Sequence, residues 1–138
     1  MAIFTERELA YLREQRLGRL ATVQPDGTVQ NNPVGFGYNE ALQTIDIGGR
    51  DMAASRKFRN VAAGSKVAFV VDDVPSVNPW TVRCLEIRGE AEALTEPRDS
   101  AGNAGGPIIR IHPRRVLSFG VDPDSPATAR RTVDDGRA

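Results

Sequence analysis

Apolar and polar positions change their spacing several times along this chain, and each change marks an element. Thr5-Glu6-Arg7-Glu8 fits a capping box, with Thr5 as N-cap and Glu8 reaching back. Phe4 and Leu9 stand at the two positions of a hydrophobic staple. The pattern predicts a helix over 6–16 with a narrow apolar stripe at Leu9 and Leu12, stopped by Gly18. The period then shortens. Residues 19–24 read as a strand, and Pro25-Asp26-Gly27 as a tight turn, since proline fixes φ and glycine accepts φ > 0. Residues 28–38 return as a second strand, interrupted by Pro33, Gly35 and Gly37, where the missing donor and missing side chains open the backbone to close approach. Residues 42–47 form a third strand ending at Gly48-Gly49.

Helical spacing reappears at Ala54, Phe58, Val61 and Ala62. It predicts an amphipathic helix over 52–63, with Asp51 as N-cap and Gly64 as its stop, and with Ser55, Arg56, Lys57, Arg59 and Asn60 on its other faces. The nearly all-apolar run 66–71 is the candidate centre of the core, 72–79 a loop, and 80–94 a long strand. In that strand Arg83, Leu85, Ile87, Gly89, Ala91 and Ala93 alternate with Glu86, Arg88, Glu90 and Glu92, one buried face against one wet face. The turn-rich stretch 95–107 predicts a mobile loop, and 108–121 a last strand broken near His112-Pro113. From Asp122 the chain is polar with few apolar anchors, which predicts a disordered tail over 122–138 behind a single domain over 1–121. Six strands and two helices with short early connections make a mainly β protein with antiparallel pairing. So many strands in so small a domain close into a barrel, because closure removes exposed edges.

Composition narrows the function classes. With 138 residues there is material for one core. Lys+Arg and Asp+Glu balance at 18 each, so no global basic charge argues for nucleic acid or an anionic membrane, and any anion site is local. No apolar run approaches the ~20 residues of a membrane span. No signal peptide is visible, and a lone cysteine excludes an internal disulfide; both suit a cytoplasmic protein.

Chemistry has few places to reside. Cys84 lies inside the alternating strand and reads as a small buried hydrophobe. His112 is the only histidine; a Ser–His–Asp or Cys–His site would have to use it and no motif supports one, and one histidine with one cysteine cannot make a typical zinc set. Asp72-Asp73 reads as a solvated strand end rather than a cation site, and the phosphate-loop and dinucleotide fingerprints are absent. What remains is the 52–63 helix. Three cations, the Ser55 hydroxyl and a helix start behind the Gly48-Gly49-Arg50-Asp51 bend make an anion seat; the competing reading is an ordinary solvated helix face. Together with glycine-rich backbone at 33–37 and 48–49, the seat suits a cofactor with a phosphate tail and a flat ring, which would itself carry the redox chemistry. Trp80 and Phe36 could wall that ring or pack in the core.

The runs Gly18-Arg19-Leu20-Ala21-Thr22-Val23, Pro25-Asp26-Gly27 and Asn32-Pro33-Val34-Gly35-Phe36 resemble the opening hairpin of the pyridoxamine 5′-phosphate oxidase-like flavin-binding split β-barrels. Ser55-Arg56-Lys57 is similar to that family's phosphate-binding triplet. The stretch from Lys57 through Asp73, Pro79-Trp80, 86–92 and 109–116 resembles its deazaflavin (coenzyme F420)-dependent branch. The resemblance covers residues 6–121 and implies a six-stranded antiparallel split barrel. It also implies a homodimer with cofactor sites at the interface, acting as an oxidoreductase on a small, electron-poor molecule. Ser55, Arg56 and Lys57 would hold the cofactor phosphate, with Arg50 in support. Asn32, Pro33, Val34, Gly48 and Gly49 would line the ring through backbone, and Trp80 would reach the site, from the partner subunit in one version. Coenzyme F420 is the leading cofactor and FMN the alternative. A non-catalytic flavin, deazaflavin or haem binder is the competing class. The chain departs from the family pattern in lacking an extended C-terminal substrate segment and in carrying Phe119 where relatives often have tryptophan.

Overall fold

The computed structural model describes residues 2–100, 106–125 and 127–133. Helix α1 (Glu6–Glu14) is followed by strands β1 (Leu17–Val23), β2 (Val29–Gly35), β3 (Gly37–Asn39) and β4 (Thr44–Ile47). A 3₁₀ turn (Met52–Ala54) then leads into α2 (Arg56–Ala62). Strands β5 (Val67–Val77), β6 (Trp80–Leu94), β7 (Ile108–Phe119) and β8 (Ala129–Thr132) complete the described chain. Every pairing is antiparallel, in the order β2-β1-β5-β6-β7-β4-β3, with β8 added to β7. The two end strands of that path, β2 and β3, are separated in sequence by Phe36 alone. The sheet therefore curls until its ends meet, as expected of a split barrel. Its interior is filled by Leu20, Ile45, Ile47, Phe69, Val71, Leu85, Ile87, Ile109, Ile111 and Val116, all essentially inaccessible.

Eight strands are described where the sequence pattern gave six. Phe36 splits the expected 28–38 strand: its ring turns edge-on to Phe69, with centroids 5.2 Å apart, and the chain leaves one end of the sheet for the other. The expected 72–79 loop is mostly strand. Asp72 and Asp73 pair with Cys84 and Arg83, and β5 runs on to Val77 before a two-residue turn at Asn78-Pro79. The break expected at His112-Pro113 is a bulge: Arg88 faces Arg115, Gly89 faces Pro113, and Arg114 is the extra residue. The polar stretch expected as a disordered tail contains β8, paired from Ala129–Thr132 to Ser118, Leu117, Val116 and Arg115. Of the expected mobile loop at 95–107, residues 101–105 lie outside the described residues; Asp99 is fixed by Arg110 Nη2 at 3.1 Å and by Asn39 Nδ2 at 2.7 Å.

Helix α1 keeps its capping box: Thr5 Oγ1 accepts from Glu8 N at 3.1 Å, and Glu8 Oε1 accepts from Thr5 N at 2.9 Å. It ends at Gln15, before Gly18, which lies within β1. Gly18 is small for a different reason. A Cβ there would stand 2.3 Å from the Phe69 ring.

Glu8 also carries a buried charge. It is 2% exposed, and its carboxylate accepts from Ser118 Oγ at 2.7 Å and from both terminal nitrogens of Arg131 on β8. Burial pushes this carboxyl up, but the hydrogen bonds from Arg131, Thr5 and Ser118 outweigh it and hold Glu8 below the usual range. Next to it, Tyr11 donates to Asp73 at 2.8 Å, while Arg83 forks onto Asp73 at 2.9 and 2.6 Å and lies 4.9 Å over the Tyr11 ring. Burial, and then this bond to Asp73, raise the Tyr11 hydroxyl far above its ordinary value. The α1 end is thus a set of mutually satisfied charges.

Candidate functional site

The expected anion seat takes a different local form from the one the sequence suggests. The helix begins at Arg56, and its N-cap is Ser55, whose Oγ accepts from Phe58 N at 3.3 Å and donates to Met52 O at 2.6 Å. Asp51 does not cap with its side chain; it sits at φ 51° at the entry to the 3₁₀ turn. The buried anchors are Met52, Phe58, Asn60 and Val61, whereas Ala54 and Ala62 are exposed. The shift follows from Ser55: a helix capped there cannot include Ala54, and its core stripe starts one turn later.

Around the cap stand four cations. Arg50, Arg56 and Arg59 are exposed and Lys57 is half-buried. No ion pair or side-chain hydrogen bond joins any of them to another described residue, in contrast to Arg19, Arg83, Arg88, Arg110, Arg114 and Arg131, which all have carboxylate partners. The nearest restraint is Asp26 in the β1–β2 turn, whose carboxyl is lowered first by hydrogen bonds from Thr28 and, more weakly, by the charge of Arg56. Exposed cations with no ion-pair partner among the described residues are available to an anion from outside the chain.

The ring-lining candidates are on neighbouring elements. Val34 is buried, Asn32 is half-buried, and Pro33 is exposed on the other face of β2, opposite Arg19. Asn32 shares the inward face of β2 with Gln30 and is paired to Leu20. Gly48 and Gly49 follow β4, and a Cβ on Gly48 would come no closer than 4.0 Å to Ile108, so this backbone is open. Helix α2 is brought over β1 and β2 by Asn60, whose Nδ2 donates to Thr22 Oγ1 at 3.0 Å and to Gln30 Oε1 at 3.4 Å. The sequence pattern had put Asn60 on the polar face; at 1% exposure it is a core contact. One signal could have found it. Thr22 falls on the inward alternation of β1 with Gly18 and Leu20, and a buried hydroxyl there needs a partner.

Neither Trp80 nor Cys84 is fully buried. Trp80 is 66% exposed at the tip of the β5–β6 arm, beside exposed Val74 and Val77, so the core-packing reading fails for it and holds for Phe36. Cys84 is half-buried on the outer face, with its thiol raised first by burial and then by Asp72 and Glu86. A groove of about 320 Å³ lies on the outer face between Lys66, Arg88 and Arg114 and does not reach residues 48–57. At the candidate site Arg50, Arg56 and Arg59 are open to solvent. No group of metal-ligating side chains occurs among the described residues, and no described helix is long and apolar enough to cross a membrane.

Comparison with known proteins accords with this architecture. The signature of the pyridoxamine 5′-phosphate oxidase family matches residues 4–128. A 5a,11a-dehydrotetracycline/5a,11a-dehydrooxytetracycline reductase from Streptomyces rimosus subsp. rimosus is 51% identical over 122 residues, covering 88% of this chain and 86% of the relative. A solved structure named F420 reductase is 26% identical, covers 75% of this chain and 90% of its own, and superposes with a TM-score of 0.56. A conserved hypothetical protein from Mycobacterium tuberculosis shares the fold at 22% identity and a TM-score of 0.66, covering 86% of each chain.

Proposed function

Because this chain belongs to the pyridoxamine 5′-phosphate oxidase family, we propose that it is an oxidoreductase that binds coenzyme F420 and reduces a polycyclic, electron-poor small molecule of the dehydrotetracycline kind. The observation that carries this reading is the group of four unpartnered cations around the Ser55 cap, in a chain 51% identical to a reductase. The F420 reductase among the solved structures supports the deazaflavin, and FMN is the alternative within the same fold.

The residues present fit such a group. The cofactor, when bound, supplies the hydride chemistry. Arg56 and Lys57 would take its phosphate, with charge-assisted contacts from a fork and a point charge respectively. Ser55 would serve through position more than through its hydroxyl, whose hydrogen already goes to Met52 O. Arg50 is free to reach further acidic groups. Asn32, Val34, Gly48 and Gly49 would present backbone N–H donors to the ring edge, and Pro33, which has no N–H, its carbonyl side of the backbone. No side chain here is asked to act as a nucleophile, consistent with the solitary histidine and cysteine.

The site would be completed in a homodimer. Leu17, Val23 and Val29 expose 62%, 40% and 70% of their surface on the outer face of β1 and β2, and Val77 and Trp80 extend from the β5–β6 arm. Exposed apolar side chains of this size are the kind that a partner covers. In that assembly Trp80 of one subunit would wall the other subunit's ring.

Titration of the purified protein with coenzyme F420 and with FMN, followed by cofactor fluorescence, tests the reading. Saturable quenching by F420 is expected, followed by oxidation of reduced F420 when a dehydrotetracycline is added. Silence toward both cofactors would overturn it; FMN binding alone would select the alternative.

A further inference from the structure

We propose that Asn60 is a positioning residue of this site, fixing the rotation of α2 so that Arg56 and Lys57 face the space lined by β2. The inference rests on the cofactor reading above. Helix α2 has only seven residues, and its apolar contacts within the helix are Phe58 and Val61. Such contacts are non-directional and let so short a helix roll on its sheet. Asn60 supplies the missing direction. One buried amide nitrogen spends its two hydrogens on two strands, Thr22 of β1 and Gln30 of β2. Directly behind it, Asn60 O accepts from Ser65 N at 3.0 Å, and Ser65 Oγ accepts from Val23 N at 2.8 Å. The helix is thus tied to β1 at two successive points.

The tie bears on the site through helical geometry. Arg56 and Lys57 precede Asn60 by four and three residues, so they sit one turn above it on the same side. Gln30 and Asn32 share the inward face of β2, so a bond to Gln30 sets the helix against the strand that carries Asn32–Val34. An apolar residue at 60 would carry no desolvation cost of its own but would leave the buried Thr22 hydroxyl without this partner. A buried amide costs stability unless both hydrogens are placed, and in return it admits one orientation only.

The test uses Asn60→Leu and, as a milder cut that leaves Asn60 in place, Thr22→Val. Hydrogen exchange of the full-length chain is measured first, without cofactor. Amides of 56–62 should exchange at least about tenfold faster in the variants while β5 and β6 stay protected, the signature of a locally loosened helix. Affinity for coenzyme F420 and FMN is then measured in a cycle with Lys57→Ala, well below the melting temperature of each variant. Lys57→Ala should weaken binding about tenfold in the natural chain but less than about threefold once Asn60 is replaced, because coupled residues are not additive. A merely structural role predicts full additivity. Unchanged exchange in α2, or an additive cycle, overturns the inference while leaving the cofactor reading intact. If the natural chain binds neither cofactor, the cofactor reading falls and this inference with it. If Asn60→Leu does not fold, Thr22→Val decides the question by the same two measurements.

Discussion

Helices α1 and α2 both start on a hydroxyl N-cap, Thr5 and Ser55, yet the charges around them are handled in opposite ways. At α1 the charges drawn into the structure are answered within the chain: Glu8 with Arg131, Ser118 and Thr5; Arg83 with Asp73 and Glu14. At α2, Arg50, Arg56, Lys57 and Arg59 have no ion-pair partner among the described residues, and Arg56 acts on Asp26 only through its field. Charges matched inside the chain serve the fold. Like charges gathered and left unmatched lower stability slightly, and they persist where something outside the chain supplies the counter-charge. The contrast separates two basic groups that composition alone would treat alike.

The contrast is sharpened most strongly by cutting at the α1 end. Arg131→Met leaves Glu8 buried without its cation and should lower unfolding stability in urea by about 2–4 kcal/mol, less than a fully buried pair because Arg131 is partly exposed. Truncation before β8 should cost as much; an unchanged midpoint would return that segment to the status of a tail. Acid should reproduce the loss. Glu8 is held below its unfolded value, so its contribution is complete above ~4.3, the ordinary glutamate range, and disappears as pH falls through the lowered folded value. Asp73, lowered chiefly by the Arg83 hydrogen bond, acts in the same direction. Stability should be flat from neutrality to about pH 5 and then fall, with a shallower fall in Arg131→Met.

At the α2 end the expectation is reversed. Lys57→Ala should weaken cofactor binding by about 1–3 kcal/mol in a fluorescence titration. The same substitution should move unfolding stability by less than about 0.5 kcal/mol, because no partner within the chain is lost. A large stability loss with unchanged affinity would mean that the two ends do not differ in kind.

Much of this fold is legible from local pattern. The Thr5–Glu8 capping box, the turn at Pro25-Asp26-Gly27 and the alternation of β6 are all present where spacing puts them. In each case the residues that decide the structure are neighbours in the chain. The misreadings share the opposite property. Gly18 looks like a helix stop, but its size answers to Phe69 on another strand. Ala-Arg-Arg-Thr at 129–132 has no apolar period; it becomes a strand beside β7, and Arg131 reaches a carboxylate 123 residues away. Asp72-Asp73 has loop composition, but Arg83 and Arg19 neutralise the pair across strands. The candidate site divides the same way. Ser55-Arg56-Lys57 could be found by type and order, whereas Asn60 could not, because its importance lies in hydrogen bonds to residues 30 and 38 positions earlier.

The seam at Phe36 has a consequence for folding. The pairings of β1 with β5 and of β4 with β7 join distant parts of the chain, and closing such long loops is the slow, entropy-limited part of assembling a curled sheet. Bringing the two end strands together adds almost nothing to that cost, because β2 and β3 are already tethered through one residue. Once all the ladders along the path have formed, the ring is completed covalently at Phe36, and the sheet cannot flatten without first giving up one of them.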